Sequence, residues 1–168
     1  MCLILLFSCQ KQPVLTAARA ALAQVEQSDR DLLWIAEDAR NTLPGFFRHL
    51  NTAGAARTNA RTSAGESGFC VKYPFAADDD SGVDTEQVWL TNIQFKNGVY
   101  YGVLANAPRY LRGRKRGDRV IFDTGAITDW MYIRDGKIIG GYSIERLLEQ
   151  IPEDQRSDEE QKLLRMFD

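Results

Sequence analysis

Apolar positions first recur at helical spacing at Leu32, Ile35, Ala36, Ala39 and Leu43, with Ser28 or Asp29 placed to cap the start. Such a stripe predicts an amphipathic helix with one face on a core. Pro44 cannot donate to the preceding turn and is expected to kink or restart the helix. Phe46, Phe47 and Leu50 then continue the apolar side. Upstream, alanine-rich Val14 to Gln27 places Leu15, Ala18, Leu22 and Val25 on one side of a further helix. Residues 51–68 show no period and are rich in Ala, Thr, Gly, Ser and Asn, the composition of a long loop.

The period then changes from 3.6 to 2. Phe69, Val71, Tyr73 and Phe75 alternate with Cys70, Lys72 and Pro74, as in a half-buried strand. Acidic Asp78 to Gly82 reads as a turn, and Glu86 to Phe95 as a second strand with Trp89, Thr91, Ile93 and Phe95 on one face. Asn97-Gly98 is a type I′ hairpin signal that returns the chain as Val99 to Ala105. Gly117-Asp118 opens a fourth strand, Arg119 to Asp123, and Asp135-Gly136 joins Ile127–Ile133 to Lys137–Gly140. Ile144, Leu147, Leu148 and Ile151 sit at i, i+3, i+4 and i+7, a docked helix that Pro152 ends. Ser157 with Glu160 forms a capping box for a last helix carrying Leu163, Leu164 and Phe167. Runs of strands between helical ends predict an α+β fold: a small antiparallel, strongly bent sheet packed against N- and C-terminal helices.

The length of 168 residues suits one domain, placed at 29–168. Residues 1–8 read as a lipoprotein signal segment and 9–28 as a tether or N-terminal helix. Leu6-Phe7-Ser8-Cys9 resembles a bacterial lipobox, in which a small residue precedes the cysteine that receives lipid. Phe7 is bulky for its place, and no Lys or Arg precedes the apolar run. Lipidation at Cys9 implies an envelope-anchored domain facing the periplasm; the alternative is the apolar start of a cytoplasmic protein. The run is too short to span a membrane.

Charge alters the picture by its distribution. The net charge is −2, so the chain as a whole is no polyanion binder. Yet Arg109, Arg112, Arg114, Lys115, Arg116 and Arg119 crowd one stretch, while the tail from Glu145 to Glu160 is acidic. Of three cysteines only Cys70 lies in the body, so no internal disulfide or zinc spacing is predicted there. His49 is the sole histidine, which disfavours Ser/His and Cys/His catalysis and histidine metal clusters. No cofactor is expected.

Several short runs follow one another in order: Asn41-Thr42-Leu43-Pro44-Gly45-Phe46-Phe47, Phe69-Cys70-Val71-Lys72-Tyr73-Pro74-Phe75, Glu86-Gln87-Val88-Trp89-Leu90 and Gly102 to Pro108. Gly117 to Val120, Ile127 to Met131 and Gly140-Gly141-Tyr142 complete the series. This set resembles the bacterial domain of unknown function 2314 family across about two-thirds of the chain. The resemblance implies an α+β domain and no settled activity. It carries one departure: Gln87 stands where family members often have a histidine.

Candidate chemistry centres on few residues. Asp129 beside Trp130 suggests a ligand pocket, with the indole stacking and the carboxylate fixing a donor; the alternative is a core tryptophan and a turn-capping aspartate. Glu86 and Asp129 are the pair a hydrolase of envelope polymers would use as acid and base. The Arg109–Arg119 cluster can grip carboxylate or phosphate, or be a solvated loop paired with the acidic tail. Tyr110 alone interleaves it, so no nucleic-acid partner is expected. Gly140-Gly141 either exposes amides to an anion or lets a strand turn sharply into a helix. Cys70 reads as a buried small hydrophobe, and His49 as a surface residue or the cap of a contact. The favoured expectation is a non-catalytic, envelope-tethered binding domain for a protein partner, one specific version being an immunity- or inhibitor-like role. Trp89, Asn106, Asp129, Trp130 and Tyr142 would lie near one surface, with Arg112 and Arg114 contributing charge. A cytoplasmic small-ligand module is the remaining alternative.

Overall fold

The computed structural model describes residues 29–52 and 65–167. The lipobox with Cys9, the helix expected over Val14 to Gln27 and most of the long loop lie outside the described residues. The order is α1 (Asp29–Thr52), β1 (Glu66–Ala76), β2 (Thr85–Lys96), β3 (Val99–Leu104), β4 (Arg119–Phe122), β5 (Asp129–Arg134), β6 (Lys137–Gly140), α2 (Tyr142–Gln150) and α3 (Asp158–Leu164). The strands form one antiparallel sheet in the order β4-β3-β2-β1-β5-β6, and the fold is α+β. Both expected hairpins form, because Asn97 and Asp135 take φ of 53° and 51° ahead of Gly98 and Gly136 at 80° and 82°.

Strand alternation sorts the sheet's side chains into two clusters. On one face Phe69, Val71, Val88, Leu90, Trp130 and Tyr132 meet Ala39, Phe46 and Leu50 of α1. On the other, Cys70, Trp89, Met131 and Ile138 meet Ile144, Leu148, Leu163 and Phe167 at the C-terminal end. The sheet is therefore covered on both sides near β1 and β5, and the strand read as half-buried is buried on both faces from Phe69 to Lys72. The tail also ties down β6, where Ile138 N donates to Met166 O at 2.7 Å.

Two expectations are corrected. Trp89 and Ile93 lie on opposite faces, because Asn92 at φ 53° sits in an irregularity that shifts the β2–β3 register between Thr91 and Gln94. α1 runs through Pro44 as one helix instead of restarting. An interior proline costs a helix about 3 kcal/mol, and the following Gly45 adds about 1 kcal/mol relative to alanine. Docking of the buried Phe46 and Leu50 beyond the break offsets that cost.

Candidate functional site

Cross-strand register builds a polar row on the α2 side of the sheet. Lys72 of β1 pairs with Trp89 of β2 on one side and with Asp129 of β5 on the other. Paired residues on adjacent strands project to the same face, so indole, ammonium and carboxylate stand side by side. Ser143, in the first turn of α2, completes the group: its hydroxyl donates to Asp129 Oδ2 at 2.6 Å and accepts from Lys72 Nζ at 3.1 Å. Asp129 Oδ2 also accepts Ser143 N at 2.8 Å, and Oδ1 accepts Trp130 N at 2.7 Å. Lys72 Nζ lies 5.9 Å from the centre of the Trp89 ring. Trp89 Nε1 is buried without a hydrogen-bond partner.

Burial governs the electrostatics. It pushes the Lys72 ammonium down, and the Asp129 charge pulls it partly back. It pushes the Asp129 carboxyl up, against the Lys72 charge and the bonds from Ser143 and Trp130. A serine hydroxyl between a lysine and an aspartate has the composition of an activated nucleophile. Here, however, Ser143 is only 1% exposed and Asp129 0%, so no reactant reaches the hydroxyl without the helix moving. What the arrangement does in the closed fold is cap α2: a carboxylate at a helix N-terminus binds an amide there and complements the dipole.

Several expected site residues fall elsewhere. Trp130 lies on the α1 face, opposite Asp129, packs on Phe46 at 5.4 Å and donates its Nε1 to Ala39 O at 2.9 Å. Trp130 is thus not an indole beside the Asp129 carboxylate; successive strand residues point to opposite faces, and the indole on the Asp129 face is Trp89, across Lys72. Trp89 and Asp129 are core residues on one face of the sheet and Trp130 on the other, so the five do not form one surface; Trp130 does meet the half-buried Tyr142 edge to face at 5.9 Å, and Asn106 is half-buried in the loop after β3. Tyr142 shares a 2.9 Å hydrogen bond between its hydroxyl and Thr42 Oγ1, tying α2 to α1. Glu86, in step with Val88 and Leu90, faces the α1 side, so Glu86 and Asp129 are not an acid–base pair. At Gly140, a Cβ would stand 2.3 Å from Trp130 O, and Gly141 at φ 76° starts α2, as a sharp turn requires. The helix N-terminus holds Asp129 rather than an outside anion. Cys70 is buried, with its thiol pushed up to about 12 by burial. His49 Nδ1 contacts Glu66 Oε1 at 2.7 Å.

The β3–β4 loop is built differently. Glu86 accepts the backbone amides of Arg109 and Tyr110, each at 2.8 Å. Asp78 Oδ2 accepts Arg112 N at 2.6 Å, and Asp78 N donates to Tyr110 O at 2.8 Å. Asp118 Oδ2 takes Lys115 N at 3.0 Å within the loop. The guanidinium of Arg112 pairs with Asp80. The partner of the basic loop is thus the acidic turn before β2, not the acidic tail. With these acids binding backbone, Arg109, Arg114, Lys115 and Arg116 stand exposed.

Lys72 and Ser143 were not signalled as site residues by the pattern. The buried Cys70 on the same side of β1 was the available hint that this face is covered. Among the described residues no cluster of three or more His, Cys, Asp or Glu is placed to hold a metal ion. No described helix is long and apolar enough to cross a membrane.

Residues 29–164 match the family model described as an uncharacterized protein conserved in bacteria, DUF2314. The chain is 32% identical over 134 residues to the putative ankyrin repeat protein NMB1133/NMB1171 of Neisseria meningitidis, covering 80% of this chain and 51% of that protein. It is 37% identical over 97 residues to the uncharacterized protein YegJ of Escherichia coli, covering 58% of this chain and 61% of that one. The chain therefore spans about half to three-fifths of the length of these relatives. No solved structure matches it.

Proposed function

The chain belongs to the DUF2314 family of uncharacterised proteins conserved in bacteria, and from its geometry we propose a non-catalytic interaction domain that docks an acidic partner protein on the β3–β4 loop. The observation that carries this reading is the division of labour in the loop. Glu86, Asp78 and Asp118 order its backbone, while Arg109, Arg114, Lys115 and Arg116 face solvent. A loop already held in shape loses little entropy on binding, and its exposed cations steer an acidic surface toward it. Guanidinium forks match carboxylates in pairs, which suits an inhibitor-like occupation of an acidic cleft. The hydrolase reading loses its acid–base pair to the two sheet faces. The same proposal places the domain on the envelope through lipid at Cys9. Metabolic labelling with a fatty-acid analogue, lost in Cys9→Ser, supports that part, and an unlabelled wild type overturns it.

The test of binding is a crosslinked pull-down from the native cell with the full chain, read by mass spectrometry. The wild type should recover one stoichiometric protein, and Arg114→Glu/Lys115→Glu/Arg116→Glu should reduce its recovery at least about 10-fold. Recovery of the same protein by the charge-reversed chain, with its melting unchanged, overturns the loop as the docking surface.

A further inference from the structure

We propose that two copies of this chain associate through the outer edge of β4, continuing the sheet across a two-fold axis at Ile121. The two edges of the sheet are finished differently. At β6, Ile138 forms a parallel bridge with Phe167, Ile138 N donates to Met166 O at 2.7 Å, and Lys137 Nζ donates to Phe167 O at 3.2 Å. The C-terminal segment thus covers that edge. β4, at the other end of the strand order, pairs only with β3 among the described residues. The β3–β4 loop could have covered it, but Asp78 and Glu86 draw that loop the opposite way, toward β1 and β2.

The phase of the backbone shows what the open edge offers. Leu104 N donates to Asp118 O at 2.9 Å, so the Asp118 carbonyl points to β3. A trans peptide turns the next N–H the opposite way, and the groups alternate from there along the strand. The backbone groups of Arg119 and Ile121 therefore face outward. So does the Asp123 amide, because the chain is still extended there, at φ −92° and ψ 128°. An unpaired row of this kind is a template for another strand.

The side chains select the strand that fits. Val120 and Phe122 face the core, which leaves Arg119, Ile121 and Asp123 on the other side of the strand. The run thus carries a cation at one end, an anion at the other, and between them Ile121, 61% exposed. Laid antiparallel on itself about Ile121, it sets each Arg119 opposite the Asp123 of the second copy and the two isoleucines against each other. The neighbouring registers that keep outward groups facing place one of the charges against Ile121 instead. Arg119 is held for this task, with its guanidinium over the Tyr101 ring at 4.2 Å, a stack that leaves N–H groups at the rim of the fork. Pairing of one short edge buries little area, so the dimer is weak, with a Kd between about 10 μM and 1 mM.

Sedimentation equilibrium of the full chain across that concentration range measures the association, and hydrogen exchange at the same concentrations locates it. The wild type should dimerise, and the Arg119 and Ile121 amides should exchange more slowly as concentration rises while those of β6 stay unchanged. Arg119→Asp and Asp123→Arg should each weaken association at least about 10-fold, because each sets like charges opposite one another in both pairs. Mixed in equal amounts, the two variants should form a heterodimer of wild-type affinity, since every pair is again an arginine against an aspartate. Ile121→Lys, a change at an exposed position, should leave the melting temperature unchanged and abolish dimerisation. A wild type that stays monomeric at about 1 mM overturns the proposal. So does an Ile121→Lys chain that dimerises as the wild type does, or a mixture of the charge variants that associates no more tightly than its components.

Discussion

On the α2 side of the sheet, Lys72 and Asp129 are both buried, joined through the Ser143 hydroxyl, and together hold the start of a helix. At the β3–β4 loop the acids Asp78, Glu86 and Asp118 bind backbone amides, and most of the basic side chains stand in water. The same residue types thus perform two tasks. Burial forces cation and carboxylate into one network, because either alone would carry a large desolvation cost. At the surface no such cost applies, so acids can order a loop while its cations stay available to a partner. Charge in the first region concerns integrity, and in the second it concerns recognition.

The strongest way to break this comparison is Asp129→Asn. The change keeps the shape but leaves Lys72 buried without its counter-charge, and a loss of about 3–5 kcal/mol is expected in chemical denaturation. Adding Lys72→Met should recover part of that loss, since the network would then lack both charges. A single-mutant loss below about 1 kcal/mol would show that Lys72 needs no carboxylate, and the first half of the contrast would go.

Glu86→Gln tests the second half with a smaller effect. It weakens two charge-assisted bonds at the rim of the sheet and should cost about 1–2 kcal/mol. The loss should be local: hydrogen exchange quickens at the Arg109 and Tyr110 amides while the amides of β1 and β5 keep their protection. Faster exchange spread evenly over the sheet would mean that Glu86 supports the core and not the loop.

Much of this architecture is written in local chemistry. Asn97-Gly98, Asp135-Gly136 and the Ser157–Glu160 box are short-range signals, and each forms the turn or cap it encodes. What short-range reading misses is which face is covered. Lys72 alternates with Val71 and Tyr73 and so looks solvent-facing; only the docking of α2 buries it. Asp129 and Trp130 are neighbours in sequence but point apart, whereas Trp89 reaches the Asp129 face from two strands away. The bulge at Asn92 left one sign, an asparagine able to take positive φ, and that sign is weak because most asparagines do not. Charge in the Arg109–Arg119 stretch was visible; its anchoring by Asp78 and Glu86 was not, since that depends on long-range pairing of β1, β2 and β3.

The smallest expected effect sharpens the comparison most, because burial raises both the Glu145 and the Asp129 carboxyls, but a like charge adds to the first shift while Lys72 and hydrogen bonds oppose the second. Glu145 lies one turn before Glu149 on α2, and burial and then the Glu149 charge push its carboxyl up. Asp38 of α1 lines the same groove and adds a like charge, while Arg146 is engaged with Glu149 at 3.5 Å. The helix dipole offers Glu145 little relief, as Asp129 already occupies that end of α2. A carboxyl raised in the folded state contributes fully below its unfolded value, and that contribution is lost as pH rises through the folded value. At neutral pH the charged Glu145 therefore opposes folding, and Glu145→Gln should raise stability by about 0.3 kcal/mol, typical of relieving a like-charged i,i+4 pair. Near about pH 3, below the range of the raised Glu145 carboxyl, Glu145 is uncharged and the gain should vanish. Asp129, also raised, behaves oppositely on substitution, because three hydrogen bonds and Lys72 depend on its charge. Thermal melts of the Glu145→Gln chain at both pH values decide the matter: a gain that persists unchanged in acid assigns the effect to packing or helix propensity, and removes repulsion as its cause.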